Sequence, residues 1–472
     1  MELTSQTFKK NAKAALADVQ LQRALGHVRA NFIEKRAKAV DALPEFEQLR
    51  EAAREIKDHT LAHLDLYLEA FEEKVHEQGG EVHYAETGAD AREAILAICR
   101  RASARTVTKG KTMVAEEIGL NEYLAEHGVE PVETDLGEYI IQIREEAPSH
   151  IIAPAVHVTK EQVEADFRRV HTHLRPDRDL SEPVTLLNEA RGVLRERFLA
   201  ADVGITGANF LIAETGTSVI VTNEGNGDLT QTLPRIHIVL ASIEKITPTL
   251  NDASQILRLL ARSATGQDIS AYTTFSTGLR RADDPDGPQE YHVIILDNGR
   301  SAMLGSEFED MLRCIRCGAC MNHCPVYQEV GGHAYGWVYP GPMGAVLTPT
   351  LVGIDKAGHL PNASTFCGRC EAVCPMKIPL PKMMRHWRER EFERHLSPTT
   401  FRYGLGVWAF FAKRPRLYQW ATAVAMRVLG NLGWRKGRFR RLPLAGGWTK
   451  FRDLPAPEGK TFQEMWAERR KG

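Results

Sequence analysis

The chain has 472 residues, 60 Lys and Arg against 61 Asp and Glu, and only 8 cysteines. A net charge of −1 gives the whole chain no argument for nucleic-acid binding, and scarce cysteines exclude a small disulfide-framed secreted scaffold. The length allows two or three domains with a large core, and no run approaches the ~18 uncharged apolar residues of a spanning helix.

Residues 1–78 are expected to form a helical arm. Ala, Leu, Glu, Lys and Arg dominate, and the only proline, Pro44, is expected to separate two helices. Met1–Lys13 has no apolar core of a cleaved presequence, which points to a cytoplasmic protein. Between Phe46 and His76, Leu49, Ala52, Ile56, Leu61, Leu64, Leu68, Phe71 and Val75 recur mostly at three- and four-residue steps. Such an amphipathic arm either packs on the main domain or meets a partner.

Residues 79–306 alternate between strand and helix patterns. Strands are predicted at 82–85, 105–109, 130–134, 218–222, 236–241 and 291–297, and helices at 90–101, 115–127, 186–200 and 249–261. That alternation implies βαβ units and a mostly parallel sheet, with ligands beyond the strands' carboxyl ends. Cys99, in the first of these helices beside Ile95 and Ile98, reads as a small buried hydrophobe. Two glycine passages invite a nucleotide reading and fail it. Lys109-Gly-Lys-Thr112 has Arg105 where a P-loop needs its first glycine, and Gly204-Ile-Thr-Gly207 does not complete G-x-G-x-x-G. The stretch Gly204–Gly227 still flanks its strand with polar turns, Glu214-Thr-Gly216 and Asn223-Glu-Gly-Asn226. Loops at sheet ends commonly carry sites, which makes Glu214 and Glu224 candidates for acid–base chemistry as well as plain turn residues.

Residues 307–384 hold seven of the eight cysteines, Cys314-x2-Cys317-x2-Cys320-x3-Cys324-Pro325 and Cys367-x2-Cys370-x3-Cys374-Pro375. This is the spacing of ferredoxin-type iron–sulfur ligands, since cysteines three apart on a short turn aim their sulfurs at one centre. A four-ligand zinc site would leave three cysteines unused. In ferredoxins the fourth cysteine of a run serves the other cluster. One [4Fe–4S] cluster is then held by Cys314, Cys317, Cys320 and Cys374, and a second by Cys324, Cys367 and Cys370. The second is one thiolate short, because Ser364 stands where a full run has cysteine. Its fourth ligand is unassigned: Ser364 or another oxygen or nitrogen, a partner chain, or a small molecule on an open iron. Loss of that iron would leave a three-iron centre. His323, beside Cys324, is a candidate for tuning the cluster or for simple packing. The 42 residues between the runs include His333, Tyr335, Tyr339 and Pro340-Gly-Pro342, and are a candidate shield or partner surface.

Residues 385–472 form a basic tail, with 20 Lys and Arg against 7 Asp and Glu. All seven tryptophans lie after residue 336. A helix at 417–434 carrying Trp420, Val424, Val428 and Leu429 either packs within the protein or rests on a membrane surface.

Together these features resemble the lactate utilization protein B family. The resemblance rests on GITGANFLIAETGTSVIVTNEGN, on Tyr291–Arg300, on both cysteine runs, on Tyr339–Thr348 and on the basic tail. It implies a three-layer, CoA-transferase-like α/β domain fused to a helical, ferredoxin-like dicluster domain, with the seven cysteines as ligands. It also implies that the chain is the electron-transfer subunit of a complex oxidising L-lactate to pyruvate. The companions would be a cysteine-rich, heterodisulfide-reductase-like chain and a second lactate-utilization-domain chain. Two other functions fit the residues: a self-sufficient enzyme using an open iron on a hydroxy acid, and a membrane-associated assembly module.

Overall fold

Six short runs pair as one parallel sheet, the central ones rich in Val and Ile. They are β1 (Glu81–Ala85), β2 (Thr106–Gly110), β3 (Glu130–Glu133), β4 (Val203–Gly207), β7 (Ile236–Ser242) and β10 (Glu290–Leu296), in the spatial order β1-β10-β7-β4-β2-β3. A second sheet, ordered β8-β5-β6-β9, contains β5 (Phe210–Ile212), β6 (Thr217–Thr222), β8 (Ile246–Thr247) and β9 (Tyr272–Ser276). The computed structural model describes residues 3–442, 446–449 and 452–470. The chain divides into two compact units, Met1–Glu391 and Phe392–Gly472. The predicted arm, α/β segment and cysteine segment all fall in the first.

The central strands β4, β7 and β10 are buried nearly throughout, and β7 and β10 read as nearly unbroken apolar runs, whereas the edge strands β1 and β3 are partly exposed. Along β7, Ile236, Ile238 and Leu240 face the helices Gly88–Arg101 and Leu120–Glu126, where Ile95, Ile98, Cys99 and Leu124 are buried. Val239 and Ala241 face the opposite way, onto Phe71, Val75, Leu211 and Ile246. The arm and the small sheet therefore cover the second face.

Local chemistry sets most boundaries. The helix Gly88–Arg101 starts on a capping box between Thr87 and Asp90, and Leu250–Ala264 starts on another between Thr249 and Asp252. The single helix predicted at 115–127 is two, Met113–Ile118 and Leu120–Glu126, because Gly119 takes φ +64° between them. Pro44 does separate helices, Val19–Asp41 from Phe46–Ala62, and a further break at His63 starts Leu64–Glu77.

The strand β4 was not predicted, because its glycines read as loop. Both are required by close backbone approach. A Cβ on Gly204 would lie 1.8 Å from the Thr230 carbonyl oxygen, and one on Gly207 would lie 2.4 Å from that of Lys111. The chain steps outward from β2 to β3, then returns to β4 and continues through β7 to β10. The direction of winding thus reverses between β2 and β4, and in such sheets the crevice at the strands' carboxyl ends is the expected ligand position.

The second unit contains the helices Thr399–Ala412, Pro415–Gly433 and Phe462–Arg469 and a two-stranded ribbon pairing Arg438–Phe439 with Leu454–Pro455. No residue of Thr399–Ala412 is buried, although the helix carries Phe401, Tyr403, Leu405, Val407, Trp408 and Phe410.

Candidate metal centre and adjoining pocket

The two cysteine runs have the same backbone. In each, a residue with positive φ precedes a cysteine and a positive-φ glycine follows it: Arg316 (+58°) and Gly318 (+72°) around Cys317, Phe366 (+54°) and Gly368 (+77°) around Cys367. A one-turn helix comes next, Ala319–Asn322 or Arg369–Ala372, carrying Cys320 or Cys370. Cys324 and Cys374 then end the runs before their prolines. The equivalence extends to the missing cysteine. Cys314 closes the 3₁₀ turn Glu309–Arg313 at φ −67°, ψ 117°, and Ser364 closes the 3₁₀ turn Leu360–Ala363 at φ −69°, ψ 136°. The Ser364 hydroxyl accepts a hydrogen bond from the Phe366 amide at 3.1 Å.

Folding brings the seven thiols into two groups. Cys314, Cys317, Cys320 and Cys374 line one small cavity, walled by Ile151, Met311, Ile315, Met343, Met376, Ile378 and Leu380. Burial pushes the Cys320 thiol well up, and the neighbouring Cys314, Cys317 and Cys374 push the same way. Burial likewise raises Cys370 to about 12, with Cys324 and Cys367 as its cysteine neighbours. Cys370 also acts on Cys320, so the two groups adjoin. Cys367 is exposed, whereas Cys317, Cys370 and Cys374 are buried. Four thiols around an apolar cavity fit a cysteinyl iron–sulfur cube, and three thiols with a serine in the fourth backbone position fit a centre short of one sulfur.

Cations and donors from distant segments surround the thiols. Arg36 donates to the Val373 carbonyl at 2.9 Å, and Arg50 donates through Nε to that of Cys374 at 3.1 Å. Both come from the helical arm, which packs as a core element. The buried Lys57 donates to the carbonyls of Glu244 and Ile246, the latter at 3.1 Å. Tyr335, buried in the insert between the runs, has the Cys324 thiol as its hydrogen-bond partner. His323 is buried with Nδ1 2.9 Å from the Ala319 carbonyl oxygen, and burial lowers its pKa to about 4. It packs in the interior, where burial disfavours its charged form.

A chain of buried charges joins the cysteine segment to the parallel sheet. Arg300 donates to Glu117 at 3.0 and 2.6 Å and pairs with Glu244 at 3.2 Å. Arg316 donates to Glu244 at 3.0 Å and stacks on Tyr339, whose hydroxyl donates to Glu117 at 2.6 Å. Burial opposes the charge on Glu244, but Arg300, Arg316 and Lys245 hold its carboxyl down at about 2.

Beside this chain, at the reversal between β2 and β4, lies a cavity of about 520 Å³. Lys111 and Thr112 line it from the end of β2, Asp135 and Glu138 from beyond β3, and Gly207 to Asn209 from the end of β4. Lys245 follows β7, and Arg316 and Tyr339 belong to the cysteine segment. Lys111 and Arg316 both take φ +58°, a strained setting for side chains of this kind and one often found at sites. Lys111 pairs with Asp135. Glu138 is fully enclosed, and burial with its acidic neighbours Glu133 and Asp135 raises its pKa well up. Glu224 lines the cavity, with its pKa raised by desolvation and Asp135. Glu214 is not among the lining residues. It is exposed and accepts from the Leu250 amide at 3.1 Å, at the start of the helix Leu250–Ala264. The sequence reading missed Lys245 and Arg316, and named Tyr335 only as part of an insert that could shield a cluster or meet a partner. Lys111 and Thr112 did carry a signal, a GKT tripeptide at the end of a strand.

Three family profiles match the chain: LUD domain at residues 68–296, 4Fe-4S dicluster domain at 310–378, and Lactate utilisation protein B, C-terminal, at 369–471. The cysteine segment is thus an iron–sulfur domain. A DUF162 family protein from Deinococcus radiodurans aligns with 49% of this chain and 98% of its own at 14% identity, but its TM-score of 0.28 carries no argument. The "Uncharacterized electron transport protein YkgF" of Escherichia coli is 41% identical over 98% of this chain and 97% of its own. "Lactate utilization protein B" of Oceanobacillus iheyensis is 42% identical over 99% of this chain and 97% of its own. That of Macrococcus caseolyticus is 42% identical over 100% of this chain and 99% of its own. With such matches end to end, the chain belongs to the lactate utilization protein B family.

Proposed function

We propose that this chain is the iron–sulfur electron-transfer subunit of a multi-protein complex oxidising L-lactate to pyruvate. The observation that carries this reading is the gathering of seven cysteines into two adjoining groups, one enclosed and one reaching the surface at Cys367. Oxidation of lactate releases two electrons and two protons, and two [4Fe–4S] clusters give those electrons separate places. The ligands are Cys314, Cys317, Cys320 and Cys374 for the inner centre and Cys324, Cys367 and Cys370 for the outer one. Arg36, Arg50 and Lys57 stabilise the negative charge gathered there. Electrons leave by the outer centre toward a companion chain, the heterodisulfide-reductase-like protein or the second lactate-utilization-domain protein. The α/β domain is read as CoA-transferase-like, supported by its parallel sheet covered by helices on one face and by the arm and the small sheet on the other. The test is turnover: L-lactate oxidation with an artificial acceptor should require the companions, and full activity of this chain alone would favour the stand-alone enzyme.

A peripheral place at the cytoplasmic membrane face is the second reading, favoured by the second unit. Residues 394–452 contain no Asp or Glu and 13 Lys and Arg. The same stretch exposes the aromatic side of Thr399–Ala412 as well as Trp420, Val424 and Val428, while Leu429 is half-buried. Basic residues around exposed aromatics suit the headgroup region of an anionic bilayer. Among the described residues, no helix is long and apolar enough to cross a membrane.

A further inference from the structure

Lys245 lies at the margin of the buried charge chain, where its charge adds to those of Arg300 and Arg316 on Glu244. The residue is 7% exposed and lines the cavity at the sheet's winding reversal. Its charge acts on Glu244, the same carboxylate on which Arg300 and Arg316 act. Glu244, the adjacent carboxylate, is already held by Arg300 and Arg316. One carboxylate shared by three cations leaves positive charge in excess, and an anion beside Lys245 lowers the cost of burying it. Along the sheet, the ends of β7, β4, β2 and β3 stand side by side, so Lys245 lies roughly three strand spacings, ~14 Å, from the carboxylates beyond β3. The cavity is therefore basic at one end and acidic at the other.

Between these ends the wall is apolar, formed by Phe32, Ile151, Ile152, Leu240 and Leu260. The volume of about 520 Å³ lies in the range that encloses ligands of many heavy atoms, several times the size of a three-carbon acid. We propose that this cavity binds an organic carboxylate with an apolar body larger than that of lactate, its carboxylate on Lys245 beside Arg316 and its body along the apolar wall. This goes beyond the lactate reading and needs only the α/β cavity. It fails or stands separately from cluster content and from turnover.

Anaerobic isothermal titration of the reconstituted full chain with L-lactate, 2-hydroxyhexanoate and inorganic phosphate tests it. Each buried methylene is worth about fourfold in affinity, so 2-hydroxyhexanoate should bind at least ~tenfold more tightly than L-lactate. Phosphate should not compete. Lys245→Met should weaken 2-hydroxyhexanoate by about tenfold or more, and Lys245→Arg should restore part of the loss. Should Lys245→Met not fold, Ile152→Trp, which fills the apolar part, should weaken 2-hydroxyhexanoate and spare L-lactate. Equal affinities for the two acids, no binding at millimolar concentration, or effective competition by phosphate would overturn the proposal. So would a Lys245→Met protein with unchanged affinity and only a shifted reduction potential, since the lysine would then serve the cluster alone.

Discussion

Ser364 stands where the second cysteine run lacks a thiol, with the backbone angles of Cys314. Ser364→Cys should therefore supply a fourth sulfur without rebuilding the loop. The expected result is a more oxygen-stable outer centre, read as a slower loss of visible absorbance in air. A variant bleaching as fast as the parent would remove Ser364 from the ligand position. Cys317→Ala is the complementary change. It should delete most of the inner centre's absorbance and lower the iron content, and an unchanged iron count contradicts the ligand set. A third residue concerns stability. His237 is buried with Nε2 2.8 Å from Thr206 Oγ1, and burial lowers its pKa to about 3. The unfolded chain takes up the proton near pH 6.5, so this contribution is complete above that pH and is lost as pH falls toward 3. By pH 5 the loss is roughly 2 kcal/mol. Relative to His237→Gln, the parent should lose that margin between pH 7 and pH 5 in urea unfolding, and parallel pH curves would contradict it.

The elements of the parallel sheet were mostly legible: β7 and β10 because buried central strands are apolar along most of their length, and β1, β2 and β3 because short strand-forming runs alternate there with helical patterns. Strands β1, β2, β3, β7 and β10 were predicted to within a residue or two. The failures have physical causes. In β4, packing against Thr230 and Lys111 requires the glycines that make a strand look like a loop. β9 is half-exposed at the edge of the small sheet, and Tyr272–Ser276 shows little apolar pattern. The cysteine groups were legible because their spacing is local. The cavity was not, since its walls come from residues as far apart as Phe32 and Tyr339. Its connection to the cysteine segment runs through Arg300, a fully buried side chain between Glu117 and Glu244. Arg300→Met leaves Glu117 buried without its cation and Glu244 with Arg316 as its remaining ion-pair partner. It should cost about 3–5 kcal/mol, seen as a lower urea midpoint. An unchanged midpoint would show that the chain of charges does not hold the two segments together.

For the whole molecule, the basic, aromatic second unit predicts an interaction that salt controls. The full chain should sediment with vesicles containing anionic lipid at low ionic strength, and much less with neutral vesicles or at high salt. Binding to a companion chain with no affinity for vesicles would assign the exposed aromatics to a protein interface instead. Every functional statement, however, depends on iron held by sulfur. Anaerobic iron and acid-labile sulfide analysis of the full chain, with EPR of the reduced protein, measures that directly. Two centres predict roughly seven to eight irons per chain and signals from two neighbouring reduced clusters. A colourless chain that takes up no iron on reconstitution, or that binds zinc in its place, would contradict the account.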